Sequence, residues 1–347
     1  MKKLLLINYA MDENDPIFSH QAEAANEISK YFSEVYVLTS RIGTYHLKEN
    51  VKVESISWQR GKSVRNLIQF YKSYYRLMSQ EDIDIIFCHM TDVQSALIAV
   101  HAKLFRKSHY LWYAHKSNSV FLSFTQLFVT GLITSTSGSL PISNSKVHII
   151  GQAINPEKFK FKVRENFEFL HFVHFGRLDE SKRITEIVKS LEKERLLNPR
   201  ISLTLFGDPT GSSSESYVQK ILIAARIKTD DAWIAIKPSV PRNSIGGLLS
   251  GYDVFIHGYL GSLDKTILEA TFVGIPVVTA NPEYLAIFGS WNQNGFSSLG
   301  EEVESLRTIP ETELRFCLEK RRLMAEANHS LDSWSFRVAQ ILNGYSQ

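Results

Sequence analysis

Short apolar runs rich in β-branched and aromatic residues alternate with longer amphipathic segments along most of this 347-residue chain. That rhythm restricts it to α/β folds built on parallel sheets. In the first half the segments fall at residues 4–7, 21–32, 35–38, 64–78, 83–87, 93–105, 110–114, 120–129 and 147–150. The sheet they predict is doubly wound. After Gly151-Gln152-Ala153-Ile154-Asn155-Pro156 the rhythm restarts with residues 169–175, whose near-continuous apolar character suits a strand covered on both faces. Segments at 184–191, 201–206, 217–227, 233–236, 245–249, 254–256, 265–272 and 276–279 follow, then two helices at 314–327 and 334–342 separated by Asn328-His329-Ser330. The chain therefore divides into a domain over 1–155 and a second α/β domain over 156–330. Its length, above the usual single-domain size, agrees with two cores.

Composition removes several alternatives. With 44% hydrophobic and 22% charged residues the chain is an ordinary globular protein, not a disordered one. Cys88 and Cys317 lie far apart and match no metal or redox spacing, which excludes a disulfide framework and fits a reducing compartment. The basic start Met1-Lys2-Lys3 leads into an apolar run too short for a signal peptide and soon met by Asp12. Ser117 to Ser145 carries no formal charge, yet Ser and Thr interrupt it too often for a membrane span. It reads as a buried helix and strand, or as a helix touching a bilayer surface. The net charge of +3 and pI near 8.6 favour anionic lipid or a phosphorylated substrate over nucleic acid, which needs a denser basic patch.

Ligands of open parallel sheets bind beyond the carboxyl ends of the strands. Three loops there carry chemistry. The first is Gly176-Arg177-Leu178-Asp179-Glu180-Ser181-Lys182, with two cations flanking a helix start. Arg grips diphosphate oxygens bidentately, Lys adds a mobile charge and Gly176 lets the backbone approach. Without that position, Arg177 and Lys182 would equally be a solvated pair beside Asp179 and Glu180. The second loop, Gly258-Tyr259-Leu260-Gly261-Ser262-Leu263-Asp264, opens a helix from Lys265 that carries Glu269 among Ile267, Leu268, Ala270 and Phe272. A carboxylate in such surroundings needs a partner, and a pair of ribose hydroxyls would serve. The third set, Gly207-Asp208-Pro209 and Lys237-Pro238-Ser239-Val240-Pro241, offers backbone groups to a base edge but is what any turn contains.

These residues resemble the retaining glycosyltransferases of the GT-B fold, specifically family 4. The resemblance spans nearly the whole chain and rests chiefly on Gly176-Arg177-Leu178 with Lys182, and on Leu268-Glu269-Ala270 followed by Gly274-Ile275-Pro276-Val277-Val278. Weaker matches are residues 147–159, as the interdomain connection, and Ser333-Trp334, as the start of a last helix. The resemblance implies two Rossmann-like domains facing a cleft, with a C-terminal helix over 331–347 crossing back to the first. It places a nucleotide-diphosphate sugar in the second domain, uridine-linked more readily than guanosine-linked, where Arg177 and Lys182 hold the diphosphate and Glu269 the ribose. Gly207, Ser239 and Val240 would lie toward the base. The acceptor, a glycan or lipid-linked species of surface polysaccharide synthesis at the inner membrane face, would approach from the first domain. The resemblance further implies a cytoplasmic enzyme with no metal and no resident cofactor. Arg177 and Lys182 would be catalytic as well as binding residues, since the chemistry leans on stabilising the departing diphosphate.

One departure stands out. Eight residues before Glu269, where relatives carry another glutamate that contacts the donor sugar, this chain has Gly261. Ser262, Leu263, Asp264, Lys265 and the backbone of Gly261 are left to meet the sugar. In the first domain Ser19-His20-Gln21 replaces the family's Gly-rich loop, leaving His20 as an acceptor-side candidate. His115 stands where relatives often place a histidine near the transferred sugar, and His89 follows a neighbouring strand. A histidine just past a strand is equally a structural hydrogen-bonder. Asp82-Ile83-Asp84 precedes its strand and so lies at the wrong end for a metal site. Two rival functions fit the same fold: a nucleotide-sugar epimerase, which predicts extra acids and histidines in the site, and a catalytically silent binding subunit.

Overall fold

The structure, a computed structural model, describes residues 1–15, 18–59, 63–162, 168–209, 216–218, 220–221, 223 and 233–345. It divides into two compact units, Met1–Ala153 with Asn328–Gln347, and Ile154–Ala327. Part of the segment expected as a helix at 217–227 lies outside the described residues.

The first unit is built on seven parallel strands in the order β3-β2-β1-β4-β5-β6-β7: β1 (Lys3–Met11), β2 (Glu34–Ile42), β3 (Val51–Ser55), β4 (Ile85–His89), β5 (Ser108–Trp112), β6 (Gly131–Thr134) and β7 (Val147–Ile149). Helix α1 (His20–Ser29) lies on one face of this sheet, while α2 (Ser63–Gln80), α3 (Asp92–Leu104) and α4 (Val120–Thr125) cover the other. Leu4 and Leu6 face the α1 side and Leu5 and Ile7 the α2–α4 side, all with no exposure, which is why this strand reads as a continuous apolar run. The uncharged stretch holds the short helix α4, which buries only Leu122 and Thr125 and so is not the buried helix expected, and the buried strand β6. Among the described residues no helix is long and apolar enough to cross a membrane. Strand β3 was not anticipated; its alternation Val51-Lys52-Val53 is brief, and pairing with β2 decides its conformation.

The second unit has five parallel strands in the order β10-β9-β8-β11-β12: β8 (His171–Phe175), β9 (Ser202–Phe206), β10 (Ile234–Lys237), β11 (Val254–His257) and β12 (Val277–Thr279). Its helices include α5 (Ile184–Leu197), α6 (Ile245–Leu249), α7 (Lys265–Val273), α8 (Pro282–Phe288), α9 (Leu299–Thr308) and α10 (Glu311–His329). The last helix, α11 (Leu331–Asn343), is capped by Ser330, whose side chain accepts from Ser333 N. It belongs to the first unit, where it packs on α1 and buries Trp334 against His89 and Trp112, with ring centroids 5.6 and 5.4 Å away.

Both strand orders contain a reversal, at β1/β4 in the first unit and at β8/β11 in the second. In a doubly wound sheet the loops leaving the two strands at such a point diverge to opposite faces and open a crevice at their carboxyl ends. The loops that begin at Gly176 and Gly258 leave β8 and β11, while His20 opens the helix that follows β1 and His89 ends β4.

Candidate nucleotide-sugar site

In the second unit the register sets the strand ends level. Phe175 pairs with Phe206, Phe206 with Lys237 and His257 with Thr279, so the loops that follow emerge along one edge. The β8 loop is pinned by Gly176 N donating to Phe206 O at 3.0 Å, by Leu178 N donating to Asp208 O at 3.2 Å, and by the fully buried Leu178 side chain. Gly207 has no room for a side chain, because a Cβ there would collide with the carbonyl oxygen of Gly176. Asp179 then starts a short 3-10 turn, Glu180–Lys182, by accepting from Ser181 N at 3.0 Å. The turn ends at Arg183 in left-handed conformation, φ 52°, before α5.

This local geometry sends the two expected diphosphate ligands to different environments. Arg177 is exposed, with Nη1 3.5 Å from Asp179 Oδ2. Lys182 is only 6% exposed. Its ammonium bonds the carboxylate of Asp264 and lies 4.1 Å from the centre of the Tyr259 ring.

Asp264 occupies the N-cap position of α7, yet its side chain does not cap the helix. Oδ2 goes to Lys182 and also meets His257 Nε2 at 3.4 Å. Burial pushes the Asp264 carboxyl toward its neutral form, but His257 and Lys182 outweigh this and hold it well below the usual carboxylate range. Beneath it, His257 and His174 are fully buried and stack at 5.9 Å. Burial lowers both imidazoles, that of His174 to about 3, so both are neutral at pH 7. Nδ1 of His174 donates to Ile256 O at 3.0 Å, which leaves Nε2 as an acceptor without a hydrogen bond.

Glu269 on α7 is 1% exposed. Its Oε1 takes a bond from Arg242, while Oε2 is buried and has no hydrogen-bond partner among the described residues. A buried carboxylate oxygen left open costs more than a bonded one, so a hydroxyl reaching it would be well held. Arg242 carries no sequence signal, since an Arg after Pro241 in a turn looks solvated; only the fold brings it to Glu269.

The β11 loop is fixed from below. Asn281 caps α8 through Glu283 N and Tyr284 N and donates to the carbonyls of Tyr259 and Gly261, each at 3.1 Å. Glu283 accepts from Leu263 N. Ser262 and Lys265 flank Asp264, both half-buried. The space a side chain at position 261 would enter is filled by the ring of Tyr259. On the other side of β8, Asp208 binds the hydroxyl and N–H of Ser239, tying the Gly207 loop to the loop bearing Val240. Lys182, Asp264, His257 and Tyr259 thus form one cluster; Arg177 and the Gly207–Ser239 loops follow strands of the same edge, and Glu269 stands on the helix that Asp264 opens.

The first unit gathers a second set. His20 begins α1 after β1 and lies with its ring centroid 6.0 Å from that of His89 at the end of β4. The Gln21 side chain accepts from Tyr9 N and Ala10 N at 3.0 Å, holding α1 against the end of β1. His89 is buried among Phe87, Trp112 and Trp334, as a packing residue is. His115 follows β5, is exposed, and has Nδ1 3.4 Å from Ser117 Oγ. Among the described residues no group of three His, Cys, Asp or Glu side chains is arranged to hold a metal.

No protein-family model matches the sequence, and no curated protein matches it. Solved structures do. The chain is similar to Alr3699/HepE of Anabaena in complex with UDP, with a TM-score of 0.73 and 16% identity, covering 99% of this chain and 100% of that one. It is similar to the sucrose-phosphate synthase of Thermosynechococcus elongatus, with a TM-score of 0.74, 12% identity and 99% and 98% of the two chains. It is also similar to WaaG, a glycosyltransferase involved in lipopolysaccharide biosynthesis, with a TM-score of 0.65, 14% identity and 98% and 100% coverage. The chain therefore has the α/β fold of the GT-B glycosyltransferases.

Proposed function

We propose that this protein is a retaining, metal-independent glycosyltransferase of the family 4 type. It takes a sugar from a uridine diphosphate donor and passes it to a glycan or lipid-linked acceptor of surface polysaccharide synthesis, at the cytoplasmic membrane face. The observation that carries the reading is that the β8 loop and helix α7, which leave the two strands at the reversal point of the second unit, supply a buried lysine and a buried glutamate that keeps one oxygen open among the described residues. A nucleoside diphosphate has matching groups: oxyanions for Lys182 and Arg177, and vicinal ribose hydroxyls for Glu269. HepE, of the same fold, has been solved with UDP and with UDP-glucose.

In the proposed reaction the acceptor hydroxyl adds to the anomeric carbon from the face that the diphosphate leaves. The bond from that carbon to the diphosphate breaks, and the diphosphate takes the acceptor proton. Arg177 and Lys182 stabilise the negative charge that develops on the leaving group. His115 and His20 are assigned to the acceptor side. Asp264, with Ser262, Lys265 and the Gly261 backbone, reads the sugar: its Oδ2 is engaged by Lys182 and His257, and its other oxygen takes no hydrogen bond among the described residues.

UDP at about 100 times its dissociation constant should stabilise the protein by about 2.7 kcal/mol, and slow hydrolysis of UDP-glucose should follow. A melting temperature indifferent to both UDP and GDP, or an Arg177→Ala variant that responds like the parent, would remove the donor-site assignment. The buried His257 paired with the half-buried Asp264 beside Lys182 is also what the epimerase reading calls for. Product analysis separates the two, because an epimerase returns an altered UDP-sugar and leaves the acceptor unmodified.

A further inference from the structure

Helix α7 starts at a residue whose side chain is withheld from it. Asp264 has the extended backbone of an N-cap, φ −75° and ψ 144°. An aspartate there ordinarily accepts from an N–H of the first turn, and the positive end of the helix dipole favours the arrangement. Asp264 makes no such bond. Two groups draw its Oδ2 away: the ammonium of Lys182, and Nε2 of His257 at 3.4 Å. The first is the group a diphosphate would take. The second stays, because a ligand cannot reach it: the Asp264 side chain is 29% exposed, and the His257 side chain behind it not at all.

His257 is itself aimed. Thr279 Oγ1 accepts from Asn281 N at 3.0 Å, so the hydroxyl proton is left for His257 Nδ1, 3.3 Å away. That assigns both nitrogens of the neutral ring: Nδ1 accepts, and Nε2 carries the proton that goes to Asp264. Packing fixes the ring as well. It stacks on Phe255 at 6.0 Å and on His174 at 5.9 Å, and stands perpendicular to the Tyr259 ring at 6.3 Å. A chain of hydrogen bonds therefore runs from Asn281 through Thr279 and His257 to Asp264. Asn281 also holds the carbonyls of Tyr259 and Gly261, so one residue sets both the course of the loop and the direction of its carboxylate.

We infer, resting on the donor-site reading, that His257 is a positioning residue, which keeps the Asp264 carboxylate turned off helix α7 and toward the donor sugar once a diphosphate has engaged Lys182. Without the Nε2 proton the released carboxylate falls back on the first-turn N–H groups of α7 and is lost to the sugar.

Calorimetric titration of the full chain with UDP and with a panel of UDP-hexoses tests this. His257→Phe keeps a ring beside Phe255 and loses the Nε2 proton. It should leave the affinity for UDP close to the parent's and weaken the tightest-bound UDP-hexose by about tenfold or more, the worth of a hydrogen bond to a charged group. His257→Gln, whose amide nitrogen can stand where Nε2 does, should restore most of that loss. Thr279→Val, close in shape to threonine, should show part of it, and Thr279→Ser should not. In urea unfolding of the ligand-free protein His257→Phe and Asp264→Asn should not add, since each removes the same bond. Equal weakening of UDP and the UDP-hexose, a Gln variant no better than the Phe variant, or strict additivity would overturn the inference and make His257 a packing residue. So would a parent that binds UDP but no UDP-hexose. A parent that binds no UDP while the unfolding cycle shows coupling faults the donor-site reading instead, and leaves His257 as the residue that sets Asp264.

Discussion

Asp264 begins helix α7 but spends its carboxylate on the ammonium of Lys182 instead of capping that helix. The lysine expected to hold a diphosphate is thus already neutralised by a carboxylate of the protein. On the proposed function an incoming diphosphate would compete with Asp264, and the carboxylate it releases would be free to accept a sugar hydroxyl. Asp264→Asn should therefore separate the two halves of the donor. Affinity for UDP should rise, since Lys182 is released, while the added affinity of UDP-glucose over UDP should fall. Losing one charge of a partly buried pair should lower stability by about 1 to 3 kcal/mol. Calorimetric titration with UDP and UDP-glucose checks this; equal changes for both ligands would contradict it.

Glu269 makes a narrower prediction. Its bond to Arg242 sets one oxygen, and the open Oε2 is assigned to ribose. The parent should prefer UDP to 2′-deoxyuridine diphosphate by about tenfold or more, the value of a hydrogen bond to a charged acceptor. Glu269→Gln should erase that preference, and it should also destabilise the fold by about 3 kcal/mol because Arg242 keeps its charge. Competition between the two nucleotides measures the preference directly.

The sequence carries the fold well because both sheets are parallel and buried on two faces, which writes each strand as an apolar run such as residues 4–7 or 169–175. Strand β3 escaped because pairing at an edge, not composition, makes it a strand. The loops were legible for a similar reason: Gly176, Arg177 and Lys182 sit next to one another in the chain. Their partners were not. Arg242 reaches Glu269 from 27 residues away and Asp264 reaches Lys182 from 82, separations at which only tertiary structure decides contact. His174 and His257 lay inside strands, where alternation makes them look like core, and core is where they are.

Gly261 gives a prediction about what the loop will tolerate. Asn281 fixes the carbonyls of Tyr259 and Gly261, and the Tyr259 ring lies over Lys182 in the space a side chain at 261 would need. Gly261→Glu should displace that ring and destabilise the protein without raising UDP-glucose turnover. Combined with Tyr259→Ala, which makes room, the same substitution should cost less, with a coupling of about 1 kcal/mol. Urea unfolding of the parent, both single variants and the double variant gives the coupling; strict additivity would place the ring elsewhere.

The buried histidines set the response to acid. Burial holds His174 and His109 down at about 3 and His329 at about 4, against an ordinary value of 6.5. Below pH 6.5 the unfolded chain takes protons at these positions that the folded chain refuses, so the unfolded state binds more protons and stability rises with pH. The stabilisation is complete above 6.5 and is lost as pH falls from there toward 3 or 4. Each such group adds a slope approaching about 1.4 kcal/mol per pH unit in that window. His174→Phe should fit beside Phe255, whose ring stacks on His174 at 6.3 Å, and should remove one of these slopes in the second unit. It also deletes the bond to Ile256 O, so stability at pH 7.5 should fall while the loss between pH 6.5 and 4.5 becomes shallower. Denaturant unfolding at several pH values checks this. An unchanged slope would mean that His174 titrates alike in the folded and unfolded chain.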